Sequence, residues 1–207
     1  RFSFINFKKV GVAIYADAVE NIKEIHNKIR HYPDFIHIDI VDKTMKQNAN
    51  DIEIFRFETI KAYWPNTQIQ THIMSTDPSK WVSKVLPFSD VVYVHGDIAK
   101  DLNQIISEIR TRGKLVGIAL KINSEINDHL EYLQKADYVL LLTINKPGKS
   151  GQNFHSSAFS KIEQLNNLSF RKQFILCVDG GVNPSISKLI NSECLVSGSS
   201  VLKNSNP

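Results

Sequence analysis

Short apolar segments alternate with longer amphipathic segments along this chain of 207 residues, and no linker or low-complexity stretch interrupts them. The short segments are rich in Val, Ile and Leu and have the length of β-strands. In the longer segments apolar residues recur at three- and four-residue spacing, which is typical of helices. This alternation indicates an α/β fold around a parallel sheet. The predicted strands comprise residues 10–15, 35–40, 68–74, 91–95, 116–120, 138–143, 174–178 and 194–197.

Eight strands with intervening helices fit a single (β/α)8 barrel (TIM barrel), and the length is near the lower end for such a fold. Periodicity alone is equally compatible with an open, doubly wound sheet. We predict one domain over residues 1–207, with helices that include 18–30, 51–62, 99–112 and 124–135. Few residues follow the last strand, so we expect a short or truncated final helix.

The composition is that of an ordinary globular protein, with 42% hydrophobic and 22% charged residues. No apolar run reaches the roughly 18 residues of a membrane span, and the first residues lack the features of a secretory signal. We therefore expect a cytoplasmic protein with no membrane partner. The net charge of +4 is spread along the predicted helices, and no aromatic-interleaved basic stripe suggests a nucleic acid. Cys177 and Cys194 lie in apolar stretches and are expected to be buried thiols.

Three predicted strands carry polar residues where a barrel interior is usually apolar. His37 and Asp39 share one face of the second strand, and His72 lies on one face of the third, while Asp179 follows the seventh. Each residue alone is better explained as a hydrogen-bonded core group or a turn residue. Together, two imidazoles and two carboxylates near the carboxyl ends of strands form a ligand set for a divalent transition metal. Burying several polar groups together costs free energy unless a ligand compensates.

Small residues follow the sixth, seventh and eighth strands, where barrel enzymes often bind phosphate. Any one of these turns could simply be a tight strand-to-helix connection. Three successive turns favour backbone N–H groups that face an anion. The residues concerned are Gly148, Lys149, Ser150, Gly151, Gly180, Gly181, Gly198 and Ser199.

In this order, these segments resemble the ribulose-phosphate 3-epimerase family over most of the chain, and the resemblance implies a TIM barrel of the ribulose-phosphate-binding type. Residues 37–42 are similar to the family's His-x-Asp-x-Met-Asp stretch, and residues 71–74 with Pro78 resemble its His-x-Met segment and the proline after it. Residues 143–154 are similar to its Pro-Gly-Phe-Gly-Gly-Gln-x-Phe loop. The match is closest at residues 178–183, and residues 196–199 resemble the segment that helps to hold a phosphate in relatives.

The resemblance implies that His37, Asp39, His72 and Asp179 bind one divalent metal ion, with Zn, Fe, Mn and Co all open. It also implies that Asp39 and Asp179 exchange protons with opposite faces of carbon 3 of a ketose phosphate, D-ribulose 5-phosphate being converted to D-xylulose 5-phosphate. Substrate contacts are expected at His72, Met74 and the glycine turns. A sugar phosphate is the expected small-molecule partner, and we expect a homo-oligomer.

The chain departs from the family pattern at several positions. The serine of the first strand that contacts substrate is replaced by Val12 or Ala13, and Lys149-Ser150 stands in place of a Phe-Gly pair. An epimerase of another pentulose or hexulose phosphate therefore stays open. So does a catalytically weak sugar-phosphate-binding domain of a larger protein of sugar-nucleotide metabolism. A barrel decarboxylase is disfavoured because the lysine-centred acid motif is missing.

Overall fold

A computed structural model describes residues 8–16, 21–98, 101–149 and 151–202. Its sheet is a closed barrel of eight parallel strands in which each strand pairs with the next along the chain and the eighth pairs with the first. The open doubly wound sheet is therefore excluded. The strands are β1 (Lys9–Tyr15), β2 (Phe35–Val41), β3 (Gln68–Met74), β4 (Val91–His95), β5 (Leu115–Leu120), β6 (Tyr138–Leu142), β7 (Ile175–Asp179) and β8 (Cys194–Ser197).

The helices surround the barrel, and none of those described is long and apolar enough to cross a membrane. They are α1 (Ile22–Ile29), α2 (Phe55–Tyr63), α3 (Ser79–Val85), α4 (Leu102–Thr111), α5 (Leu130–Leu133), α6 (Ala158–Asn166), α7 (Pro184–Ser187) and α8 (Ser199–Leu202).

Two helix predictions were too long. The segment 124–135 forms a 3-10 turn, Ile126–His129, followed by the single turn of α5. The predicted helix at 51–62 begins only at Phe55, because residues 51–53 are irregular and residue 54 lies in a turn. The predicted starts of the helices at 18–30 and 99–112 lie outside the described residues.

The two faces of β2 have different environments, as the alternation of its side chains requires. Ile36, Ile38 and Ile40 point outward and belong to the large apolar layer between the strands and the helices. His37 and Asp39 point into the barrel. The barrel interior is otherwise filled by a smaller apolar cluster that includes both cysteines, which are buried and free as expected. Polar residues inside the barrel are therefore exceptions that require an explanation.

Four carboxylates hold the amino-terminal end of the barrel together, and each immediately precedes an even-numbered strand. Asp34 accepts a hydrogen bond from the backbone N–H of Val10 at the start of β1, at 2.8 Å. Asp90 accepts the same bond from a backbone N–H of β3, Asp137 from one of β5 and Glu193 from one of β7, each at 2.8 Å. In every case a second hydrogen bond joins the same two residues: the backbone N–H of the acidic residue donates to the carbonyl oxygen of the strand residue whose N–H its carboxylate accepts. We call these four residues the base carboxylates.

Large rings inside the barrel fit against glycines on neighbouring strands. A Cβ atom added to Gly117 in β5 would lie 2.1 Å from the ring of Tyr93 in β4, and one added to Gly11 in β1 would lie 2.1 Å from the ring of Phe35 in β2. Both rings are fully buried. These glycines therefore provide space for an aromatic layer below the polar end of the barrel.

We expect Gly117→Ala to lower the free energy of unfolding by about 1–3 kcal/mol, because the added methyl group overpacks a rigid interior. Urea unfolding followed by circular dichroism measures this change. Gly198→Ala is the matched control, since its added Cβ would meet only Ala13 at an ordinary 3.5 Å. Equal stability of the two variants would contradict this account of the aromatic layer.

Candidate active site

The structure brings the four predicted metal ligands together at the carboxyl end of the barrel. His37, Asp39, His72 and Asp179 each offer one ligand atom, and these atoms all lie within 4.8 Å of one another. His37, Asp39 and His72 are buried, whereas Asp179 is partly exposed to the pocket above. Three strands that are distant in sequence thus deliver one compact donor set.

Strand register explains why these side chains meet. Asp39 in β2 pairs with His72 in β3, and Nδ1 of His72 lies 3.0 Å from Oδ1 of Asp39. Asp179 enters from β7, and its backbone carbonyl accepts hydrogen bonds from the backbone N–H (2.8 Å) and the hydroxyl (2.9 Å) of Thr143. The end of β7 is therefore fixed against the end of β6.

Asp42, the residue directly after β2, holds the ends of β2 and β3 together. Asp42 accepts hydrogen bonds from Trp81 Nε1 at 2.9 Å, from Ser75 Oγ at 2.7 Å and from the backbone N–H of Thr44 at 2.9 Å. Burial alone would raise the pKa of Asp42, but hydrogen bonds from Thr44, Trp81 and Ser75 lower it to about 2. This charged clamp stabilises the two strands that carry three of the four ligands.

The two carboxyl groups of the cluster have opposite protonation preferences. Burial disfavours the charged form of Asp39, but its contacts with the imidazoles of His37 and His72 outweigh burial and hold its pKa well below its usual range. Desolvation by the surrounding protein, reinforced by repulsion from Asp39, raises the pKa of Asp179 to about 7. One carboxylate is thus ionised while the other can carry a proton near neutral pH, a division found in acid–base pairs.

The cluster has the properties of a metal site. Both ring nitrogens of His37 are buried without a hydrogen-bond partner among the described residues, which is costly unless another group uses them. Burial lowers the pKa of His72 to about 4, and this favours the neutral imidazole that a metal needs. Two imidazoles and two carboxylates match the donor preferences of a divalent transition metal. The residues present therefore fit the ion that the sequence predicted.

A pocket opens directly above the cluster, and most of the predicted substrate residues line it. Asp39 and Asp179 form part of its wall, together with Met74. His37 and His72 lie beneath it and do not form part of its wall, and the substrate contact expected of His72 stays a prediction. Ser150 lies outside the described residues. The predicted phosphate residues in the wall are Gly148, Lys149, Gly151, Gly180, Gly181, Gly198 and Ser199.

The loop after β6 has a defined shape, because one side chain ties it together. Gln152 donates to the carbonyl oxygens of Lys146 and Lys149, both at 2.6 Å, and accepts from the backbone N–H of Lys146 at 3.1 Å. Gly148 adopts a φ of 76°, and it packs closely against the side chain of Val41. Gly181, at φ 66°, is so close to the backbone of Phe154 that an added Cβ would lie 2.2 Å from its nitrogen.

Several residues around the site were not predicted. Tyr15, Arg56 and Ile144 line the pocket, and nothing in their local sequence distinguishes them from core or surface residues. His95 ends β4, and its local sequence indicates no role in the site. Asp97, which contacts His95, was missed, although a His-x-Asp sequence at a strand's carboxyl end was a usable signal.

The architecture is that of the TIM barrels. The 3-hexulose-6-phosphate synthase of Salmonella typhimurium superposes with a TM-score of 0.70 over 96% of this chain and 92% of that chain, at 16% sequence identity. This likeness shows the fold alone.

Sequence comparison identifies the family. The profile of the ribulose-phosphate 3 epimerase family matches residues 9–202. A ribulose-phosphate 3-epimerase of Bacillus subtilis is 28% identical over 177 residues, which cover 81% of this chain and 79% of that protein. One from Schizosaccharomyces pombe is 25% identical over 182 residues, covering 84% and 77%. The chain therefore belongs to the ribulose-phosphate 3 epimerase family, a family of isomerases.

We expect a divalent metal ion to stabilise the folded protein, by about 2.7 kcal/mol when the free ion is at 100 times its Kd. His37→Gln should lose most of this gain because it removes one of four ligands. Thermal unfolding with and without Zn²⁺, Mn²⁺, Co²⁺ or Fe²⁺ measures the effect. His31→Gln, at an exposed histidine, is the control and should respond like the wild type. An equal response of His37→Gln would argue against this site.

Proposed function

We propose that the protein is a metal-dependent epimerase that inverts carbon 3 of a ketose phosphate, with D-ribulose 5-phosphate and D-xylulose 5-phosphate as its substrate and product. The observation that carries the proposal is the pair of carboxyl groups, Asp39 and Asp179, in the wall of one pocket beside two buried imidazoles. Membership of the epimerase family supports the same reaction.

Inversion next to a ketone needs a base on one face of the carbon and an acid on the other. In the proposed reaction the ionised carboxylate of Asp39 removes the proton from carbon 3, and the protonated Asp179 donates a proton to the opposite face. The two residues exchange these roles in the reverse direction. Because they interact directly, they titrate as a coupled pair. A divalent ion held by His37, Asp39, His72 and Asp179 would supply positive charge that stabilises the enediolate oxygens.

The phosphate end of the substrate is assigned to the glycine rim of the same pocket. Gly148 and Gly181 are held at positive φ by close packing, and the Gln152 contacts fix the loop that carries Gly148 and Lys149. Backbone N–H groups in such turns bind phosphate oxygens. Lys149 is exposed and lies in the pocket wall, where its charge would attract the phosphate.

Part of the pocket wall is apolar. Ala13 of β1 lies in the wall where relatives are expected to carry a hydroxyl, and Leu142 and Ile144 add apolar surface. Loss of one hydroxyl contact changes substrate preference rather than the chemistry at carbon 3. Another pentulose or hexulose phosphate is therefore the second candidate substrate, and competition assays between ketose phosphates distinguish it from D-ribulose 5-phosphate.

With metal supplied, Asp39→Asn and Asp179→Asn should each lower kcat by about 10²- to 10⁴-fold, because each removes one proton-transfer group. Deuterium entry at carbon 3 of D-ribulose 5-phosphate in heavy water, followed by NMR, measures the step directly. Asp128→Asn is the matched control at an exposed aspartate and should retain full activity. If wild-type protein incorporates no deuterium into any ketose phosphate tested, the proposed function fails.

We expect Lys149→Ala to raise KM for the ketose phosphate by about 10- to 100-fold, which corresponds to the loss of a charged hydrogen bond of about 1.5–3 kcal/mol. The kcat should change little, because Lys149 is assigned to the phosphate rather than to carbon 3. Lys146→Ala is the control, since Lys146 is exposed in the same loop but does not line the pocket. Equal KM values for both variants would remove Lys149 from the phosphate site.

A further inference from the structure

A buried chain of polar groups leads away from the candidate metal cluster, from His72 in β3 to His95 at the end of β4 and Asp97 just after it. Nε2 of His72 lies 3.0 Å from Nε2 of His95, and Nδ1 of His95 lies 3.2 Å from Oδ1 of Asp97. His72 and His95 are almost completely buried. The proposed epimerisation assigns no role to His95 or Asp97.

The far end of this chain is held by two donors from the segment after β5. Oδ2 of Asp97 accepts a hydrogen bond from Ser124 Oγ at 2.8 Å and lies 3.0 Å from Lys121 Nζ. These donors stabilise the carboxylate form of Asp97. They also fix its orientation, so that Oδ1 is the oxygen presented to His95.

The direction of each hydrogen bond follows from the donors and acceptors available. A carboxylate only accepts, so the proton between His95 and Asp97 belongs to Nδ1 of His95. A neutral His95 then has an acceptor at Nε2, and the proton between the two rings belongs to Nε2 of His72. Nδ1 of His72 is left with a lone pair, 3.0 Å from Oδ1 of Asp39.

Two lone pairs at that distance repel each other unless a cation lies beside both atoms. We propose that His95 and Asp97 are positioning residues that hold His72 in the tautomer with a free lone pair on Nδ1, the nitrogen that would bind the metal. This inference rests on the metal site of the proposed function. Partners beyond the ligands commonly orient metal-bound imidazoles in this way.

A purely structural role for the chain makes different predictions. In that case Asp97 would only hold the ends of β4 and β5 together, and any residue that keeps those contacts would leave the metal site unchanged. The tautomer role depends instead on an acceptor at Oδ1, so the isosteric change Asp97→Asn separates the two. In this variant the donors Lys121 and Ser124 would bind the amide oxygen, and the amide N–H group would face Nδ1 of His95. The hydrogen bond between position 97 and His95 and the one between His95 and His72 would then both reverse direction.

The test is a titration of purified protein with Co²⁺, followed by its visible absorption bands and by competition with a chelator. Asp97→Asn should weaken Co²⁺ binding by about 10- to 100-fold and alter the absorption bands. Asp97→Glu retains a carboxylate and should restore most of the affinity. Asp128→Asn, at an exposed aspartate outside this chain of contacts, is the control and should bind Co²⁺ like the wild type.

Wild-type affinity and absorption bands in Asp97→Asn would overturn the positioning role while leaving the metal site intact. A wild-type protein that binds no Co²⁺ would instead overturn the site and the inference together. A second measurement needs no variant: in the Zn²⁺-loaded wild type, ring ¹⁵N chemical shifts should show protons on Nε2 of His72 and Nδ1 of His95. A proton on Nδ1 of His72, or two protons on His95, would overturn the proposal.

Discussion

Two carboxyl groups in a nearly water-free end of the barrel repel each other, and this repulsion is the constraint around which the site is arranged. Asp39 is ionised because two imidazoles lie beside it, and its charge helps to raise the pKa of Asp179. Such an arrangement costs free energy in the folded state. Hydrogen bonds offset that cost and keep these groups together. Thr143 bonds to the end of β7, and the contacts of Asp42 hold the ends of β2 and β3.

Much of this arrangement could be predicted from the sequence, because strand geometry is simple. Side chains alternate between the two faces of a strand, so His37 and Asp39 had to share a face. The isoleucines around them marked the strand and placed both residues near its carboxyl end. Three predicted strands, Gln68–Met74, Val91–His95 and Cys194–Ser197, agree with the structure at both ends, and four others differ from it by a single residue at one end.

The remaining features depend on contacts between segments that are distant in sequence. The chain from His72 through His95 to Asp97 requires β3 and β4 to be neighbours, and the Gln152 contacts require a particular path of the loop after β6. The helix predictions failed at 51–54, where the chain is irregular, and at 126–129, where a 3-10 turn replaced regular helix. Amphipathic spacing does not distinguish these conformations from an α-helix. The glycine turns were predicted, but Arg56 and Tyr15 reach the pocket only through the three-dimensional path of the chain.

The base carboxylates divide the barrel into four pairs of consecutive strands, and each contact joins residues separated by only 17 to 24 positions. Bringing such close segments together costs little loop-closure entropy. The pairing of β8 with β1 is different, because it joins the two ends of the described chain. Among the eight strand pairings this seam therefore closes the longest loop, and the backbone N–H of Lys9, which donates to the carbonyl oxygen of Glu193 at 2.9 Å, lies on it.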